Sequence, residues 1–226
     1  MSKLERLCVR VPKVYDWVTR QVDRERQFDS LDRLAFVCND IEENDEVDPC
    51  EFLNDDEDFI VNIIPTDEDG DEIDASEIDC REVGPRQDIF VEELGVELQL
   101  VKLKLEGFYV VELRNEVTNE VVCVSSPIPF CIPQKFLLCA PEGTEINCHI
   151  FDFFGNGVLC CSNGEFVELA VTKTFCLSVQ AEADVKVEIE GRLCKPREDM
   201  IEPIFEEKCP KITFPPQCPE IFPPKH

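Results

Sequence analysis

Cysteine is the residue type through which this chain has most scope for chemistry. Its 14 cysteines stand at positions 8, 38, 50, 80, 123, 131, 139, 148, 160, 161, 176, 194, 209 and 218, beside only two histidines, His149 and His226. Thiolates hold metals, attack electrophiles or pair as disulfides, and spacing separates these uses. Finger- and ribbon-type zinc sites draw ligands in closely spaced pairs, and no C-x-x-C occurs. The same gap removes a thioredoxin-like redox motif. Cys148 and His149 are neighbours on a predicted strand, so their side chains point to opposite faces and make no nucleophile–base pair. There is no Gly-rich phosphate loop and no His-bearing triad pattern. The expectation is a protein that is not an enzyme, with no cofactor and no metal centre, whose thiols are destined for disulfides.

The position of each cysteine sorts its role. Cys148 shares a strand face with Ile146 and Ile150, and Cys148 and Cys139 read as small buried hydrophobes. Cys176 alternates with the apolar set of its strand and is expected to look outward. Cys160 and Cys161 are consecutive, so one points in and one out. Cys8, Cys209 and Cys218 lie on the two terminal arms. Thiols on arms and outer faces suit links between subunits, which makes Cys8, Cys160, Cys161, Cys176, Cys209 and Cys218 the candidate cross-linking residues.

Carboxylates are the second chemical resource. A net charge of −27 repels nucleic acid and anionic membranes. No stretch approaches the roughly 20 apolar residues of a spanning helix. Partners are therefore expected to be cations, basic proteins or further copies of the chain, in a homo-oligomer or polymer held by something stronger than charge. Asp67, Asp69, Asp71 and Asp74 surround Gly70 in the manner of a calcium loop, but the EF-hand alignment places Pro65 at the first ligand and Ser76 at the bidentate position. A charged hairpin tip is the main reading of these residues; weak, low-specificity calcium binding is the alternative.

The elements that carry these residues fall into four segments. Residues 1–39 form a basic head or connector with Lys3, Arg6, Arg10, Lys13, Arg20, Arg24, Arg26 and Arg33. Within residues 13–27 of this head, Val14, Trp17, Val18 and Val22 suit a helix face, while Val9, Val11, Tyr15 and Trp17 suit a strand. Residues 40–88 are acidic, relieved by Arg81 and Arg86 alone, with a strand at FIVNII and a turn at Asp69-Gly70. Residues 89–195 are a series of short strands. VELQLVKLKLEG slips phase at Leu100–Val101, which predicts a bulge; PIPFCIP reads as an edge; Ser162-Asn163-Gly164 predicts a hairpin. From Phe175 onward, apolar residues alternate with polar ones, predicting one buried and one wet face. Residues 196–226 carry the near-repeats CPKITFPPQ and CPEIFPPKH, an extended Pro- and Cys-rich arm. The expected fold is all-β, an antiparallel β-sandwich or jelly-roll-like core flanked by this head and arm.

The Cys-bearing head LERLCVRVPKVYDW, the stretch SPIPFCIPQKFLLCAPEGTEINCHIF and the VLCC segment together resemble cysteine-rich structural proteins of Bacillus-type spores. The layout is similar to subunits of endospore appendage fibres and to the exosporium proteins that anchor them. The resemblance implies a jelly-roll core joined to its neighbours by N-terminal connectors and disulfides. It also implies synthesis in a mother cell without a secretion signal, since SKLERLCVRVPKVYDWV lacks a signal-type apolar run, and oxidation at the spore surface, coat or exosporium, afterwards. The acidic segment and the Pro-rich arm depart from a simple fibre subunit and favour an anchor or coat-layer component. A β-sandwich binding module, calcium-dependent or carbohydrate-binding, is the second expectation, with Phe151, Phe153 and Phe154 as its one candidate aromatic cluster, although core packing is the main reading of these three.

Overall fold

The computed structural model describes residues 9–38, 47–53 and 59–187. Cys8, Cys194, Cys209 and Cys218, and the whole Pro-rich segment, lie outside them. The fold is all-β. Its strands are β1 (Val9–Phe28), β2 (Phe36–Cys38), β3 (Phe59–Thr66), β4 (Asp79–Glu82), β5 (Gln87–Val91), β6 (Val96–Asn115), β7 (Val121–Ser125), β8 (Ile128–Leu138), β9 (Glu145–Ser162) and β10 (Glu165–Val187).

All pairings are antiparallel and join one 10-stranded sheet in the order β1-β10-β9-β3-β6-β7-β2. β6 is its spine. One edge of β6 is taken in turn by β5, β4 and β3, and the other by β8 and β7. The sheet folds back on itself. Phe175, Leu177, Val179 and Ala181 of β10 share a core with Val101, Leu103 and Leu105 of β6 and with Phe136 and Leu138 of β8, although β10 bonds to neither strand. A second core cluster unites Phe28, Val61, Ile63, Tyr109, Val111, Leu113, Leu169 and Val171. The two layers of the sandwich are thus halves of one sheet, and β3 forms the corner by pairing with both β6 and β9.

Two glycines make that corner. A Cβ on Gly155 would lie 2.4 Å from Ile63 Cβ, and one on Gly157 would lie 2.8 Å from Val61 Cγ1. Only residues without a side chain let β9 come so close to β3.

Several expectations change here. Residues 13–27 are strand, and the head is no separate unit: β1 pairs with β10 from Val9↔Val187 to Phe28↔Leu169. Val18 and Val22 are buried at 1% and 4%, and adjacent Trp17 at 8%, so both faces of β1 are covered here; Val14, 43% exposed, stands at a register shift between Val14 and Asp16. The acidic segment likewise supplies β3 and β4 to the same sheet. The bulge expected at Leu100–Val101 is absent: the pairing Leu100↔Leu137 runs straight into Val101↔Phe136. Apolar residues line both faces of β6 there, with Leu98 buried opposite the Val101 face. The face of β10 expected to be wet is covered from Thr174 to Ser178, while further along it Asp184 and Lys186 are exposed as expected. Thr174, Cys176 and Ser178 are 3%, 0% and 5% exposed. Trp17 Nε1 donates to Ser178 Oγ at 2.7 Å, and Thr174 Oγ1 donates to Asp23 Oδ1 at 2.6 Å, so β1 side chains lie over β10. The Asn163-Gly164 hairpin forms as expected, both residues at positive φ (54° and 79°), joining β9 to β10.

Candidate functional site

The described cysteines divide into those whose strand position gives them a bonding partner and those left unpaired on the surface; among the bonded ones Cys161 is exposed and Cys80 and Cys148 are half-buried. Cys38 on β2 and Cys123 on β7 stand directly opposite each other and are bonded, with a Cα–Cα distance of 4.1 Å. Both are buried, at 2% and 1% exposure. Cys80 on β4 and Cys148 on β9 are bonded across 5.6 Å, which ties the β6 layer to the β9–β10 layer. The third bond joins Cys50 to Cys161 at the end of β9. Cys50 sits in a 3₁₀ turn, Pro49–Glu51. Asp48 holds that turn against the sheet: Oδ1 accepts from Cys50 N at 2.9 Å, and Oδ2 accepts from Phe166 N at 2.7 Å. Pro49 in the first turn removes a donor that would otherwise go unmet there. These three bonds close loops of 85, 68 and 111 residues' separation. Cys176 is also disulfide-bonded, with none of the other described cysteines as its partner.

Three described cysteines remain thiols, and all three are exposed: Cys131, Cys139 and Cys160. Cys131 lies on the outer face of β8, whose inward set is Ile128, Ile132, Phe136 and Leu138. Cys139 follows the last residue of β8, and its N–H donates to Asp16 Oδ2 of β1 at 2.9 Å. Cys160 lies near the end of β9, next to the bonded Cys161.

Of the residues singled out as cross-linkers, Cys160 is therefore an exposed thiol, Cys161 is consumed by an internal bond, and Cys176 is oxidised and fully buried. Cys8, Cys209 and Cys218 fall outside the described residues. Cys148 does pack against the core beside Ile146, but as half of a disulfide. Cys139, expected inside, is outside because it stands between the inward Leu138 and Ala140, on the outward phase of the alternation. Cys131 was overlooked although strand alternation marks it: an odd spacing from the inward Ile132 and Phe136 turns Cys131 outward.

The aspartates around Gly70 are engaged with backbone. Asp67 Oδ1 accepts from Asp69 N at 3.0 Å and Asp71 N at 2.9 Å, an Asx turn at the hairpin tip. Asp74 begins a capping box with Glu77. Among the described residues no group of three or more His, Cys, Asp or Glu side chains is arranged to hold a metal ion. The phenylalanine cluster splits. Phe153 packs edge-on against Phe175 at 5.1 Å between ring centroids, whereas Phe154 is 41% exposed.

One further polar group is unusual. Lys173 points into the core, 3% exposed, with Nζ 3.8 Å from the centre of the Tyr109 ring. Burial, and secondarily the Arg26 charge, pull its pKa down to about 8. The Tyr109 hydroxyl is buried with no partner at full hydrogen-bond geometry, and burial pushes its pKa up against the opposing pull of the nearby Arg26.

No protein-family model, no curated protein and no solved structure matches this chain.

Proposed function

We propose that this chain is a non-enzymatic structural protein of a spore surface, stapled internally by disulfides and joined to further copies, or to other surface components, through its exposed thiols. The observation that carries the reading is the division between cysteines already paired in internal disulfides, whether buried like Cys38 and Cys123 or exposed like Cys161, and three exposed cysteines left as thiols, Cys131, Cys139 and Cys160. The internal bonds hold one sheet in shape. The exposed thiols are free to bond outward when two of them meet and an oxidant such as dioxygen accepts the two electrons and two protons released. Covalent links resist the mutual repulsion of copies that each carry a charge of −27. Cys8, Cys209 and Cys218 belong to the same proposal as further outward links. The spore setting rests on the sequence resemblance, and the acidic segment with the Pro-rich arm favours an anchor or coat-layer role over a fibre subunit.

The test is size-exclusion chromatography and denaturing gels of the oxidised full chain, with and without reductant, beside a Cys131→Ser/Cys139→Ser/Cys160→Ser variant. Reductant-sensitive oligomers from the wild type, much reduced in the triple variant, support the reading. A wild type that stays monomeric under oxidation removes it.

A further inference from the structure

The solvent face of the β3 corner carries a groove of about 750 Å³ that cross-linking does not use. Its floor is a polar row. Asn62 of β3 pairs in register with Asn156 of β9 on one side and with Glu112 of β6 on the other, so three planar polar side chains stand abreast on one face. Gly155 and Gly157, which bring β9 against β3, are also what sets Asn156 beside Asn62. Phe154 lies two residues from Asn156 on the same face and forms a wall of the groove.

The partners of these groups are specific. Arg114 grips the Glu112 carboxylate through Nε and Nη2, and its Nη1 donates to the Asn119 carbonyl at 3.1 Å. Glu112 is 7% exposed, so the pair is fixed rather than loose. The side-chain amides of Asn62 and Asn156, by contrast, have no hydrogen-bond partner among the described residues. Glu72 also lines the groove, so one guanidinium faces two carboxylates and an anionic ligand is disfavoured.

We infer that this groove binds a neutral saccharide. A pyranose ring has an apolar C–H face and a rim of hydroxyls, each both donor and acceptor. Phe154 supplies an exposed flat apolar surface for the first. Two unpaired carboxamides, each likewise donor and acceptor, supply the second, and the outer lone pairs of Glu112 add an acceptor held in place by Arg114. A few placed polar groups beside an apolar wall, in a concave surface, are the usual makings of a small-molecule site. An open groove loses little water on binding, so the affinity belongs in the millimolar range. This inference stands apart from the cross-linking role and from the exposed thiols.

The experiment titrates the ¹⁵N-labelled full chain with maltotriose, cellotriose and chitotriose in turn, with trigalacturonate as the anionic control. Saturable shifts centred on Asn62, Phe154 and Asn156 are expected for at least one neutral trisaccharide. Phe154→Ala should weaken it about tenfold, and Asn62→Ala should weaken it as well. Phe154 is 41% exposed and belongs to neither core cluster, so its truncation leaves the chain folded; Asn156→Ala is the second variant should either of the others fold poorly. No saturable groove shifts with any neutral trisaccharide, shifts indifferent to these substitutions, or tighter binding of trigalacturonate would overturn the inference.

Discussion

Lys173 shows how one side chain sets a pH response. Its ammonium is buried against Tyr109, and its pKa is about 8 in the folded protein against 10.5 for an ordinary lysine. Between those two values the unfolded chain binds more protons than the folded one, so stability rises with pH across this window. Below about 8 both states are protonated, and the cost of the buried ammonium is carried in full. Lys173→Met should remove the alkaline rise and stabilise the protein at neutral pH by about 1–2 kcal/mol, part of the gain being offset by the lost cation–π contact. Melting temperatures at neutral pH and at pH 10 check both statements; an unchanged alkaline slope in the variant would sink the assignment to Lys173. Tyr109→Phe deletes a buried hydroxyl with no partner at full hydrogen-bond geometry and should be neutral or mildly stabilising in the same assay.

At the scale of elements, β9 depends on its two glycines. Gly155→Ala forces a Cβ to within 2.4 Å of Ile63 Cβ and 2.9 Å of its carbonyl oxygen, and the neighbour it meets is itself in the core. We expect Gly155→Ala to cost about 2–3 kcal/mol in urea unfolding, through opening of the β3–β9 corner. A loss below about 0.5 kcal/mol would mean that the corner relaxes freely. Much of this architecture was legible in the sequence. FIVNII became β3, the Asn163-Gly164 turn joined β9 to β10, and PIPFCIP became β8, which pairs with β6 alone among the described strands. β1 was not decidable, because Val18 and Val22 satisfy both a two-residue and a four-residue repeat; pairing with β10 settles it. The buried outer face of β10 was unreadable for a different reason. Thr174, Cys176 and Ser178 are small and polar in any hydropathy pattern, and only the tertiary position of Trp17 and Asp23 covers them. The polar row of the groove was likewise hidden, since Asn62, Glu112 and Asn156 lie far apart in the chain and meet only through strand register.

For the molecule as a whole, disulfides and charge oppose one another. Each described bond closes a long loop, and cross-links over such spans chiefly restrict the unfolded chain. A Cys80→Ser/Cys148→Ser double variant should lose about 3–4 kcal/mol in urea denaturation, without the stray thiol that a single substitution would leave. Charge acts between molecules. At −27 per chain, encounters of copies are slowed by repulsion that salt screens. Raising ionic strength from about 0.1 M to about 1 M, which shortens the screening length from about 10 Å to about 3 Å, should speed disulfide-linked oligomer formation. Time-resolved non-reducing gels read that rate; independence from salt would argue that cross-linking is not limited by encounter.

The pairing of β1 with β10 also bears on how the protein is made. On the ribosome β1 emerges long before β10, so a strand of 20 residues must wait until β2 to β9 have been made for the partner that satisfies its backbone. The same delay applies to Cys50, whose partner is Cys161. Closure of the sheet therefore follows synthesis of β10, is slow in the manner of high-contact-order β proteins, and is sensitive to premature oxidation that would lock early thiols into the wrong pairs. Once β10 has closed the sheet, strand register itself sets Cys38 opposite Cys123, so oxidation at that stage forms a bond between thiols already in place.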